Sequence, residues 1–390
     1  MIRNLQESQQ RARKIWSSMP LPTSRENENF RWTSLKGFGF EQEPVLTPSQ
    51  KSPPQGLSLL APEESSVSVI SSAEQRFSAE GVDYEIPSVF AGDYLAQLAA
   101  AKCTSAVLIK TRPEENAGNQ STRTTYWMDP ASSVFYYRKW IVVENHSSLK
   151  CIDEFLSEPE CAVSSVAVGL IQIHVKAGAN LHYSWIQNWS RQVSHFARIE
   201  IVVEQDAYAR VLPLQVGGAK SQIRIEQRCL GRGAQIDLEG AAQGKDDQHF
   251  DFWIRAEHSV PDTKSQMNYR TVVTDRARAI FNGNIVIHKT ALRTKAFQKN
   301  KNMILSPQAG IDTFPKLEIA TDEVECAHGA SSSPVLPEQK FYLESRGIDP
   351  QLAEKMIVRG FIDPVVSEIH SSSVRERVRL ALGYEQEVDE

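Results

Sequence analysis

From about residue 104 to 325, apolar and polar side chains alternate with a period of two. Ile171, Ile173 and Val175 alternate with Gln172 and His174. Ile199, Ile201 and Val203 follow the same rule, as do Ile223 and Ile225, Ile236 and Leu238, Phe250, Phe252 and Ile254, then Ile285 and Ile287. Successive side chains of a strand point to opposite faces, so each run lines one face with apolar groups and presents polar groups on the other. No helical period interrupts the series, which predicts an all-β core. The connections include short turns of small residues, Ala177-Gly178-Ala179, Arg232-Gly233-Ala234 and Ala309-Gly310-Ile311. A solenoid uses such turns to carry the chain to the next coil, but an antiparallel sandwich or barrel has the same strand spacing. Spacing alone leaves both open.

The flanking regions read differently. Met1 to Ser18 predicts a short polar helix, and Pro44, Pro48, Pro53, Pro54 and Pro62 among Ser and Gln predict an irregular connector. Asp93 is placed to cap an Ala- and Leu-rich helix reaching Lys102. After Pro337 the period becomes helical again. Phe341 and Leu343 lie in a helix that Gly347 stops, and Asp349-Pro350 starts a second with Leu352, Met356 and Ile357 on its stripe. Asp363-Pro364 repeats that start signal, and Ser371 to Ser373 cap a last helix ended by Gly383. The expected organisation is a helical and loop-rich region over 1–103, the β core over 104–336 and a helical domain over 337–390.

Composition narrows the function classes. Of 390 residues, 41% are hydrophobic and 23% charged, the balance of an ordinary globular protein. The formal charge of −5 and the absence of a Lys/Arg block argue against nucleic acid as a partner. No apolar run approaches the ~20 residues of a membrane helix. The polar start has no apolar segment of a secretory signal, so a cytoplasmic location is expected. The cysteines, Cys103, Cys151, Cys161, Cys229 and Cys326, are odd in number and widely spaced, which suits neither a disulfide framework nor a four-cysteine cage.

Cys326 and His328 are the one Cys/His pair close in sequence, and on a strand their spacing of two puts both on one face. Thiolate and imidazole both ligate iron or zinc. Two ligands do not hold a metal, and such a pair often arises by chance. The acidic neighbours Asp322, Glu323 and Glu325 are expected to raise the thiol pKa. His174 and His288 read as outer-face groups. His182 with Trp185 and Trp189 reads as a groove or, more economically, as surface. His195 and His249 have no evident partner, and Asp237, Glu239 and Asp251 read as solvated carboxylates. No nucleophile elbow and no Walker loop occurs.

The segment Lys316-Leu-Glu-Ile-Ala-Thr-Asp-Glu-Val-Glu-Cys-Ala-His-Gly-Ala330 resembles the signature of the SufB/SufD family of iron–sulfur cluster assembly proteins. Asn300 to Ser306, Phe341 to Ile348 and the aromatic stretch Glu28 to Leu35 are similar to further stretches of that family. The resemblance is dense over 280–370 and diffuse over 100–280. It implies a right-handed parallel β-helix flanked by helical regions, which resolves the choice left open above. It also implies a non-enzymatic subunit that pairs with SufB through the β-helix and with the ATPase SufC through the helical tail. Ile319 stands where SufB-like chains carry a cysteine, and Ala327-His328-Gly329-Ala330 has the SufD form. On this resemblance His328, with Cys326 second, faces a transient iron or iron–sulfur cluster at the SufB junction, with no cofactor held by this chain alone. Phe341, Leu343, Met356, Ile357 and Phe361 are the expected SufC docking residues, and a homodimer is expected when partners are missing. The competing readings are a SufB-like scaffold, a β-helix carbohydrate-active enzyme using paired carboxylates, and a stand-alone metalloprotein.

Overall fold

The computed structural model describes residues 5–23, 33–36, 38, 40, 57–60, 68–72, 82–111, 121–128, 134–157 and 164–384. Pro44, Pro48, Pro53, Pro54 and Pro62, Cys161 and residues 28–32 of the aromatic stretch lie outside the described residues.

Among the described residues eighteen strands, numbered β1–β18 in chain order, form two nine-stranded sheets. One sheet holds the even strands, with β1 at its far edge: Leu57–Leu60, then β4 Ser121–Met128, β6 Ser148–Ser157, β8 Asn180–Asn188, β10 Tyr208–Gln215, β12 Gln235–Gly244, β14 Lys264–Val273, β16 Thr294–Ile304 and β18 Val324–Ser333. The other runs from β2 Ser68–Ser72 through β3 Ser105–Lys110, β5 Val134–Val143, β7 Ser165–Val175, β9 Val193–Val203, β11 Lys220–Cys229, β13 His249–His258 and β15 Arg278–Ile287 to β17 Gly310–Ile319. From β3 and β4 onward every ladder is parallel, and each strand pairs with the strand two places on. Asn180, Tyr208, Gln235, Lys264, Lys295 and Glu325 stand in register, one per coil. The core is therefore a parallel β-solenoid of about seven coils. β1 and β2 join antiparallel at the opposite end from β17 and β18, so the stretch read as an irregular connector contributes two edge strands.

The corners explain how coils of this length close without helices. His146, Gly178, Asp206, Gly233, Asp262 and Arg293 all adopt positive φ at successive coil corners. The corner amides donate to the next coil: Gly178 N–H to the Gln205 carbonyl, Asp206 to Arg232 and Arg293 to Glu323, at 2.7–2.9 Å. The turn backbone is thus satisfied between coils, as buried peptide groups require.

One large apolar cluster fills the interior from Val107 and Tyr126 in the early coils to Phe281 in the later ones, and a second, around Ile285, Ile287 and Ala296, fills the last coils. Helices cover the outer faces. α1 (Leu5–Trp16) packs on α2 (Tyr94–Ala101), and α2 covers the odd sheet at Val134, Val166, Val168, Leu170 and Phe196. Asp93 caps α2 as expected, its carboxylate accepting from the Ala96 amide at 2.9 Å. Downstream lie α3 (Pro337–Ser345), α4 (Pro350–Val366) and α5 (Ser372–Ala381). α4 and α5 cover the even sheet at Ile152, Ile186, Leu212, Leu214 and Val272. Asp349 caps α4, while Gly347 and Gly383, at φ of 84°, end the segments before and after. Asp363-Pro364 does not open a new helix. Pro364 sits in the last turn of α4, and Asp363 instead pairs with Arg379 at 2.8 and 2.9 Å.

One buried carboxylate corrects the expectation of a solvated face. Asp251 is fully buried beneath the amino-terminal segment, accepting from Thr33 Oγ1 at 2.7 Å and Gln222 Nε2 at 3.1 Å. Burial raises its pKa from 3.8 to about 6, partly offset by those two donors and by the Arg198 charge. Because the folded value is the higher one, ionised Asp251 opposes folding fully above about pH 6, and the penalty fades as pH falls toward 3.8. Asp251→Asn is therefore expected to stabilise the protein at pH 8 by up to about 3 kcal/mol, at ~1.4 kcal/mol per pH unit, and to gain nothing near pH 4. Urea unfolding at the two pH values measures this, and a variant less stable at pH 8 contradicts it.

Candidate functional site

The last coil of the solenoid carries the expected site. In the ladder between β16 and β18, Ala296, Gln298, Asn300 and Asn302 pair with Cys326, His328, Ala330 and Ser332. The β16 partners are buried inside the solenoid, so Cys326 and His328 occupy the same interior-facing column of β18. On the facing strand, Ala279, Phe281, Ile285 and Ile287 pair with Ile311, Thr313, Leu317 and Ile319 of β17. Among the described residues no further coil covers these positions. His328 is exposed, Cys326 is half-buried and Ile319 is 43% exposed. Among the described residues β17 and β18 each pair on one side only, which leaves two ten-residue edges of unpaired backbone groups at this end.

Cys326 packs with Leu317 and Val324 against Ile285, Ile287 and Ala296. Burial raises its thiol pKa. The direction agrees with expectation but the cause does not, because Glu325 projects to the outer face and pairs with Lys295 at 2.7 Å. Cys103, Cys151 and Cys229 are likewise raised by burial, to about 11 and about 12 for the first and last. No described cysteine is thus primed as a thiolate. Among the described residues no three His, Cys, Asp or Glu side chains converge as a metal site. Cys326 and His328 supply at most two ligands.

The remaining histidines are accounted for by the fold. His174 and His288 lie on the outer face and pair with Glu204 and Glu257, each at 2.6 Å. His182 shares no groove with Trp185 and Trp189, because both indoles point into the core while His182 faces outward. His195 does have partners: it is buried among them, within hydrogen-bonding distance of Tyr137 Oη at 2.9 Å, Gln187 Oε1 at 2.8 Å and Trp189 Nε1 at 3.1 Å. Burial lowers its pKa to about 3, so it is neutral. His249 approaches Thr33 Oγ1 at 3.1 Å. Asp237 accepts from the Tyr208 hydroxyl and Glu239 from Asn268 Nδ2.

Sequence reasoning missed two interior features. Lys139 and Asp153 form an ion pair with neither side chain exposed to solvent. Lys139 also donates to Thr124 Oγ1 at 2.9 Å, and Tyr183 Oη donates to Asp153 at 2.8 Å. Gln298, one coil below His328, is the second. A register repeat of about 30 residues is the signal that links it to the site.

In the helical tail, Phe341 is 71% exposed, and Tyr342, Leu352 and Met356 are 58%, 50% and 44% exposed. Leu343 is half-buried. Ile357 and Phe361 turn the other way and pack on the cluster between α4, α5 and the even sheet. No described helix is long and apolar enough to cross a membrane.

Residues 126–361 match the family model described as SUF system FeS cluster assembly, SufBD core domain. An iron–sulfur cluster assembly SufBD family protein of Mycobacterium leprae is 32% identical over 228 residues, covering 56% of this chain and 58% of the relative. The iron–sulfur cluster assembly protein SufD of Escherichia coli is 29% identical over 211 residues, 54% of this chain and 50% of that protein. The chloroplastic protein ABCI7 of Arabidopsis thaliana is 24% identical over 243 residues, 62% and 51%. The matched stretches span just over half the length of these relatives.

Proposed function

Because this chain belongs to the SufB/SufD family of iron–sulfur cluster assembly proteins, we propose that it acts as the SufD-type subunit of a cytoplasmic complex with SufB and SufC. It contributes no catalysis of its own; ATP hydrolysis resides in SufC. The observation that carries this reading is the open end of the solenoid. Two ten-residue strand edges lie there beside an exposed His328 and a half-buried Cys326. Long open edges are liabilities that a partner's strands relieve by continuing the ladder. A second β-solenoid, SufB, joined edge to edge would bring its own side chains over the His328 column. The transient iron or cluster, as cargo, would then take two donors at most from this chain and the rest from SufB.

The helical tail supplies the second contact. Phe341 and Tyr342 on α3 and Leu352 and Met356 on α4 are exposed apolar side chains outside the cluster that packs on the even sheet. We assign Phe341 and Met356 to SufC docking, and Leu343 to its margin. Ile357 and Phe361 mainly hold α4 to the sheet. Phe341→Asp is expected to abolish co-purification of SufC with this chain while SufB remains bound and the melting temperature is unchanged. Retention of SufC by that variant would remove α3 from the docking surface. A homodimer through the same open edges is the expected state when SufB is missing.

A further inference from the structure

One interior residue next to His328 is unexplained by packing. Gln298 is 1% exposed, and neither its Oε1 nor its Nε2 has a hydrogen-bond partner among the described residues. Its row neighbours on β16 are better served: Asn302 Nδ2 donates to Asn300 Oδ1 at 2.7 Å and to Ser332 Oγ at 3.1 Å, and Asn300 Nδ2 donates to the Tyr269 carbonyl at 3.3 Å. Space for the carboxamide comes from the facing strand. A Cβ on Gly283 would lie 2.2 Å from Gln298 Nε2, so the amide fills the volume a side chain would take. The residue in register above Gly283 is Pro315, whose ring offers no donor.

Gln298 and His328 are direct partners in the ladder between β16 and β18 and share the interior face, with backbones about 4.8 Å apart. A buried amide with both atoms unmatched is a cost to folding that a methionine of similar length would avoid. We propose that Gln298 is a positioning residue: its carboxamide oxygen accepts the Nδ1–H of His328 and so presents the Nε2 lone pair to the open end of the solenoid. Ligating imidazoles are held this way, because the group that accepts the distal N–H fixes both tautomer and ring orientation. The inference deepens the role proposed for His328 and rests on it.

The test is the tautomer of His328 in the full chain, read from long-range proton–nitrogen NMR of 15N-histidine protein, with His328→Ala assigning the signal. The wild type is expected to hold mainly the Nδ1–H form. Gln298→Met is expected to shift His328 mainly to Nε2–H and to melt no lower than wild type. Cluster production by the complex is expected to fall about tenfold in that variant. Gln298→Asn, its amide one methylene short, should shift the tautomer in the same direction, and it decides the matter if the methionine variant does not fold. An unchanged tautomer ratio in the variant overturns the proposal. Normal cluster production by His328→Ala would instead overturn the role of His328, and the NMR result stands apart from that.

Discussion

Lys139→Met is expected to lower the free energy of unfolding by about 3–5 kcal/mol, the cost of leaving one partner of a buried ion pair alone. Neither Lys139 nor Asp153 is exposed at all, and the pair lies among Tyr126, Tyr137, Cys151 and Tyr183 inside the early coils. Without the ammonium, Asp153 keeps the Tyr183 hydroxyl at 2.8 Å but no cation, in surroundings that do not solvate a carboxylate. The companion experiment separates charge from volume. Lys139→Met combined with Asp153→Leu removes both charges and is expected to recover most of the loss, since apolar replacements of buried pairs are often neutral. Urea denaturation of the three proteins gives the numbers. A single substitution costing under about 1 kcal/mol would mean that water reaches the pair.

The second large effect concerns function rather than folding. His328→Ala is expected to leave the melting temperature and partner binding unchanged and to reduce cluster production in cells by tenfold or more. The side chain is exposed at the solenoid's end, so its loss opens no cavity. Cys326→Ala should do less, because burial raises that thiol's pKa and keeps it in apolar company. Unchanged activity of cluster-dependent enzymes in a His328→Ala strain would take His328 out of the mechanism.

The pattern of alternation was enough to see strands but not their direction. Ile199, Ile201 and Val203 look alike in a sandwich and in a solenoid, and only the family resemblance favoured the parallel form that the ladders display. Where both faces of a strand are covered, alternation disappears. β5, Val-Phe-Tyr-Tyr-Arg-Lys-Trp-Ile-Val-Val, is buried almost throughout, so nothing local marks Lys139 as pointing into the solenoid and Arg138 as pointing outward to Ser8 and Tyr84, which cover it. Asp251 was misjudged for the same reason: what covers it is the segment carrying Thr33, more than two hundred residues away. At the site, the spacing of two placed Cys326 and His328 on one face, a local property that a strand obeys without help from the fold. Gln298 was invisible because its relation to His328 is a matter of coil register. In Gln298-Lys299-Asn300-Lys301-Asn302 both faces read as polar, although one is buried and the other exposed.

The proposed docking of SufB at the open end and of SufC on the helical tail is tested by the native mass of this chain co-expressed with both. One stable species containing all three subunits is expected. If the chain elutes without either partner, as a monomer or as a dimer of itself, neither surface docks its partner, and the family likeness describes its fold alone.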